Sequence, residues 1–188
     1  MLNAKNRLYE FVKELGCYEQ CVQYQSSSSS PNGNFISQAT VTFADGRKVV
    51  GTGSSFKKVE AEIAAAEHAL SIIAETHQDM QIDWKQVFME AQAGDALIKL
   101  CAYLSESFET AEQKSLWLQT LESDEHLADI FDRLQSQNDS SVSIFGPNLG
   151  SKRKATWIEA LIWREFGALC LSANAKGALN DLSLFLKN

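Results

Sequence analysis

The sequence predicts an α+β protein in two parts, an αβββα unit followed by an all-helical one. Three observations carry this. Between residues 35 and 53 apolar and polar residues alternate, the period of a strand with one buried face. On either side of that stretch apolar residues recur at three- and four-residue spacing, the period of a helix face. Past residue 83 no alternating run occurs, so every later element reads as helix. The texture changes across residues 75–82, and the expected domains are 1–75 and 82–188.

The elements follow in order. "KNRLYEFVKEL" (5–15) places Leu8, Phe11, Val12 and Leu15 on one helical face, and Gly16 is a natural stop. "CVQYQ" (21–25) is a short strand, and "SSSSSPNGN" (26–34) is a polar loop rich in turn residues. "FISQATVTF" (35–43) sets Phe35, Ala39, Val41 and Phe43 on one face. "ADG" turns the chain and "RKVVGTG" (47–53) returns it. An alanine-rich helix begins near Phe56 or Lys57, with Val59, Ile63, Ala66, Leu70 and Ile73 as its expected buried stripe. In the second part, 84–108 reads as a helix broken near Gly94. Residues 110–121, 124–135, 152–171 and 177–188 read as further helices, and 136–151 as a long polar loop.

Composition narrows the function. A hydrophobic content of 45% suits a buried core. No apolar run approaches the roughly 20 residues that span a bilayer, so no membrane partner is expected. The opening "MLNAKNRLYEF" has no apolar signal region, and four scattered cysteines suit reduced thiols. A cytoplasmic location is expected, or an organelle if a transit segment has been removed. Cys17 and Cys21 stand four apart, but no second pair has zinc-site spacing. His68, His77 and His126 have no serine or cysteine partner for triad chemistry. A net charge of −7 argues against broad non-specific nucleic-acid binding, so any such contact must be local. The first 75 residues carry seven basic against eight acidic side chains, and the remainder ten against sixteen.

One local feature runs against that acidity. Lys57 and Lys58 open the alanine-rich helix, at the positive end of its dipole, where cations are disfavoured. An anion held there resolves the conflict. The unpaired N–H groups of a helix N-terminus suit a phosphate, and lysines beside them add charge.

The order of elements and the stretch "GTGSSFKKVEAEIAAAEHAL" resemble the double-stranded RNA-binding domain over residues 4–73. Gly51 and Gly53 close the third strand, Lys58 follows, and Ala61 to Leu70 match the family's alanine-rich helix. The resemblance implies that Lys57 and Lys58 hold phosphates across the narrow major groove of A-form RNA. It also implies that Asn6, Tyr9 and Glu10 on the first helix, with Pro31 and Asn32 in the first loop, meet successive minor grooves. The chain departs from the family in two places. Val59 stands where a second lysine is usual, with Lys57 one residue upstream, and the loop keeps Pro31 but lacks the usual histidine. The alternative is a domain that keeps the fold and binds protein.

In the second part "AGDALIKL" (93–100), "LESDEHLADIF" (121–131) and "KATWIEALIW" (154–163) resemble, in order, three helices of the ribonuclease III catalytic domain. That family uses carboxylates four apart on one helix and three apart on another to hold Mg2+, which activates water. Asp95 and Glu159 match one member of each pair, while Ala91 and Thr156 fill the other two positions and Trp163 replaces a glycine. The compact Mini-III branch has the same alanine and threonine. Two readings stand: a retired nuclease fold that forms a homodimer or heterodimer and presents RNA, or a Mg2+-dependent endoribonuclease with catalytic, metal-binding Asp95 and Glu159. The expected function is binding of double-stranded or structured RNA in RNA processing or a ribonucleoprotein. A protein–protein scaffold is the third alternative.

Overall fold

The computed structural model describes residues 2–28, 33–104, 110–171 and 175–187. The chain divides into two compact units: Met1–Ile82 together with Ser143–Leu149, and Asp83–Val142 together with Gly150–Asn188.

The first unit opens with α1 (Ala4–Glu14), whose N-cap Asn3 accepts a hydrogen bond from the Asn6 N–H at 3.0 Å. The helix ends at Gly16, which has φ +72° and lets the Cys17 N–H close back on the Val12 carbonyl at 3.0 Å. Three antiparallel strands follow in the order β1 (Val22–Ser28), β2 (Phe35–Thr42), β3 (Lys48–Ser55). Val22 pairs with Val41, and Thr42 pairs with Lys48. β1 runs further into the serines than the hydrophobic pattern indicated, because pairing with β2 continues to Ser28 opposite Phe35. The free edge of β3 is blocked at Thr52, whose N–H donates to His68 Nδ1 at 3.1 Å.

The last helix of this unit, α2 (Lys58–Thr76), covers one face of the sheet. Its buried residues are Ala61, Ala65, Ala66, Ala69 and Ile73, while Val59 is 61% exposed. The expected stripe through Val59 is therefore displaced onto the alanine face. The reason lies across the interface, where β3 presents Gly51 and Gly53. A Cβ added at Gly51 would stand 2.8 Å from Ala69 Cα, and one at Gly53 would stand 2.7 Å from the Ala64 carbonyl carbon. Only glycine against alanine permits so close a contact of helix and strand. Lys5 of α1 reaches Glu62 of α2 at 2.6 Å, and Glu62 also accepts from Ser26 Oγ at 3.3 Å. This largely covered pair ties α1, β1 and α2 together.

Residues 143–149 belong to this unit as well. The Gly146 N–H donates to the Leu15 carbonyl at 2.7 Å, and the Asn148 N–H to the Gly16 carbonyl at 2.9 Å. Ile144, Phe145 and Leu149 are buried. The stretch expected as a polar loop thus carries a strap of core residues. They show no period because main-chain contacts, not a helix or strand, hold them.

The second unit is entirely helical: α3 (Trp84–Leu104), α4 (Ala111–Leu121), α5 (Asp124–Ser136), α6 (Ser151–Cys170) and α7 (Ala175–Lys187). Starts are capped by Asp83, by the Thr110–Gln113 capping box and by Ser123. Trp157, Ile158 and Ile162 of α6 are buried, as are Val87, Leu97 and Ile98 of α3 and Leu127, Ile130 and Phe131 of α5. α3 continues unbroken through Gly94. A Cβ there would fall 2.6 Å from the Glu159 carbonyl carbon, so this glycine marks the crossing of α3 and α6 instead of a break. Among the described residues no helix is long and apolar enough to cross a membrane.

Candidate nucleic-acid interface

Lys57 is the N-cap of α2 and Lys58 its first residue, with side chains 77% and 60% exposed. No side chain caps this helix start. The anion that the lysine pair calls for is present within the chain: Glu60, in the first turn, accepts from Lys57 Nζ at 2.9 Å and from Ser55 Oγ at 2.7 Å. These bonds raise the Lys57 ammonium above its ordinary value and hold the Glu60 carboxyl below its own. Lys58 lies 4.0 Å from Glu62, which is pulled down chiefly by its bond to Lys5. Sequence reasoning missed Glu60. Its signal was the three-residue spacing from Lys57, which places both on one helix face.

On α1, Asn6 and Glu10 are exposed and lie one turn apart. Tyr9 is half-buried, its ring 6.4 Å from that of Tyr24. Lys5 lies over the Tyr24 ring at 4.5 Å. The Lys5–Glu62 bond joins the helix bearing Asn6, Tyr9 and Glu10 to the helix bearing Lys57 and Lys58, so the two sets are held in fixed relation. Pro31 and Asn32 lie outside the described residues.

In the helical unit, Asp95 and Glu159 come together at the α3–α6 crossing. Asp95 is bonded to Lys99 at 2.6 Å, and Lys99 also lies 3.9 Å from Glu122. Glu159 is half-buried, and burial pushes its carboxyl up from the ordinary 4.5 to about 7, with the charges of Asp95 and Asp124 adding to the rise. Ala91 and Thr156, in the two remaining positions, are buried. Neither Glu90 nor Asp83 fills these positions. Glu90 is engaged by Arg164 at 2.6 Å and by Gln86 at 3.0 Å, and Asp83 caps α3. Among the described residues no three His, Cys, Asp or Glu side chains are grouped to hold a metal. Asp95 and Glu159 supply two of the four carboxylates that the resemblance implies, with Glu122 near Lys99 and the charge of Asp124 felt at Glu159. Asp95 holds the Lys99 ammonium, and Glu159 beside it is close to half protonated at pH 7. Of the basic residues that open α6, Arg153 lies over the Trp84 ring at 4.8 Å, and Lys154 pairs with Asp132 at 2.6 Å.

Residues 4–73 match the family described as the double-stranded RNA binding motif. The match spans α1, the three strands and most of α2, and it supports binding of double-stranded RNA. No curated protein and no solved structure matches the chain at a significant level.

Proposed function

We propose that this protein binds double-stranded or structured RNA through its αβββα unit, in RNA processing or within a ribonucleoprotein. The observation that carries the reading is the exposed Lys57–Lys58 pair at the start of α2, within a segment that matches a double-stranded RNA binding motif. An incoming phosphate takes the place that Glu60 holds in the free protein, and gains the unpaired N–H groups of the first turn. Asn6 and Glu10 then face a minor groove from α1. The helical unit serves as a ribonuclease III-like fold that pairs with a second copy and presents RNA without cutting it. Its lack of a complete carboxylate set supports this, as does the apolar surface of α3, where Met89, Leu100, Tyr103 and Leu104 are all at least 43% exposed.

The test is fluorescence anisotropy with a labelled 24-base-pair RNA duplex, titrated at several salt concentrations, in Mg2+ and in EDTA. Wild type is expected to bind with a salt-dependent affinity and leave the duplex intact in both. Changing both Lys57 and Lys58 to Glu should abolish binding. Milder Gln substitutions should each flatten the log–log salt slope by about 1. Unchanged affinity in the double-Glu variant would overturn the reading. Duplex shortened only in Mg2+, with cutting lost in Glu159→Gln, would replace a presenting role with a nuclease. Sedimentation of the free protein as a monomer at micromolar concentration would refute the pairing.

A further inference from the structure

Phe56 immediately precedes the lysine pair and is 81% exposed, the highest value for any large hydrophobic side chain among the described residues. An apolar residue just ahead of an N-cap usually folds back on the fourth helical residue and fixes the entry of the chain. Here that fourth residue is Ala61, which is wholly buried against the sheet, so the ring has no seat there and turns to solvent. The other phenylalanines and tyrosines of this unit with a ring partner are packed ones. Phe11 meets Phe43 at 6.3 Å and Tyr9 meets Tyr24 at 6.4 Å. Val59, one turn on from Phe56, is also 61% exposed. The result is an exposed aromatic platform followed directly in the chain by two exposed lysine side chains.

A continuous duplex offers this platform nothing. Its bases are stacked on one another, and the A-form major groove is too narrow for a ring to enter. A base that is already unstacked is different. Aromatic side chains hold such bases face to face while neighbouring cations hold the flanking phosphates. We infer that Phe56 stacks on an unpaired base while Lys57 and Lys58 hold the adjoining phosphates. The preferred ligand is then RNA duplex interrupted by a bulge, loop or open end, not uninterrupted duplex. This rests on the RNA-binding reading above and names its substrate class.

The experiment uses the full chain and two RNAs, a 24-base-pair duplex and the same duplex with one bulged 2-aminopurine. Wild type is expected to bind the bulged RNA about fivefold tighter or more, the lower end for stacking one base on an aromatic ring. The 2-aminopurine emission should be quenched on binding. Phe56→Ala should bind both RNAs with the affinity wild type shows for plain duplex, and without quenching. Phe56→Trp should keep the preference. Phe56→Leu, which keeps apolar bulk but has no π-face, should lose it. Equal affinity of wild type for the two RNAs, or a preference retained in Phe56→Ala or Phe56→Leu, overturns the inference and leaves duplex binding standing. Absence of binding to either RNA by wild type overturns the underlying reading as well.

Discussion

Gly51→Ala tests how α2 is seated on the sheet. The new methyl would collide with the Ala65 carbonyl oxygen and the Ala69 nitrogen, and would stand 2.8 Å from Ala69 Cα, where ordinary contact begins at 3.4 Å. All three are backbone atoms of α2, so no flexible side chain can yield and the helix itself must retreat. Clearing the closest of the three takes a shift of about 1 Å, and a gap of that size forfeits about a quarter to a half of each contact's dispersion energy. The loss falls on Ala61, Ala65, Ala66 and Ala69 together, which are fully buried. Overpacking of this kind costs about 1–3 kcal/mol. Stiffening the unfolded chain returns only about 0.4–1 kcal/mol, so destabilisation wins.

The assay is thermal unfolding followed by amide exchange in β2, which reports the first unit separately from the helical one. A net loss near 2 kcal/mol lowers the midpoint of a domain this size by about 8–16 °C. Gly150→Ala is the control. Gly150 is the N-cap of α6 in the helical unit, with φ −65° and nothing within 4 Å of an added Cβ, so its substitution should leave exchange protection in β2 unchanged. If Gly51→Ala melts within 2 °C of wild type, on the order of the shift from a neutral surface change, the glycine–alanine contact does not set the helix spacing.

Three further outcomes are expected. Phe145 is fully buried in the strap, so Phe145→Ala should cost about 3–5 kcal/mol, seen as lost exchange protection in β1–β3. Protection lost only in α3–α6 would place the strap with the other unit. The Glu62 carboxyl is held below its ordinary 4.5 by Lys5, so its stabilisation is complete above that value and fades as pH falls through the lower folded value. Lys5→Met should cost about 1.5–3 kcal/mol at pH 7, towards the low end because Lys5 is 25% exposed, and should flatten the acid limb of a stability–pH curve. Glu159 has the opposite sign. Its folded form binds a proton more tightly, so stability of the helical unit should fall as pH rises from 4.5 to about 7 and level off beyond. Glu159→Gln should remove that fall and be more stable than wild type at pH 8; a wild-type curve that rises over the same interval would show the carboxyl is not buried as described.

Local periods were enough to mark the three strands and two α-helices of the αβββα unit, because alternation and capping act within a few residues. What they did not reveal depends on elements far apart in the chain. Val59 and the alanines both lie on plausible faces of α2. Only the glycines of β3, paired into the sheet beside it, select the alanine face. Gly94 reads as a breaker until the Glu159 backbone is set against it. Ile144, Phe145 and Leu149 sit among serines, glycines and a proline, and their burial needs Leu15 and Gly16 as hydrogen-bond partners. The candidate site was legible in its lysines and less so in its acids, since Glu60 matters only once Ser55 and Lys57 converge on it.

Both units place opposite charges where the sequence shows a conflict, and the two pairs differ in what they permit. Lys57 and Glu60 are 77% and 52% exposed, so water screens their attraction and either can change partner at small cost. A phosphate can therefore displace Glu60 and recover the helix-end N–H groups besides. Lys99 and Asp95 are 45% and 33% exposed, and the same ammonium also lies near Glu122. Beside them Glu159 is half-buried, its carboxyl pushed up to about 7 by burial and then by the charges of Asp95 and Asp124. A dication entering there would have to exchange with the Lys99 ammonium, and the buried Ala91 and Thr156 offer it no carboxylate. The exchangeable pair lies in the unit that matches an RNA-binding motif, and the committed one lies where cleavage would need a metal. That asymmetry supports the RNA-presenting role proposed above.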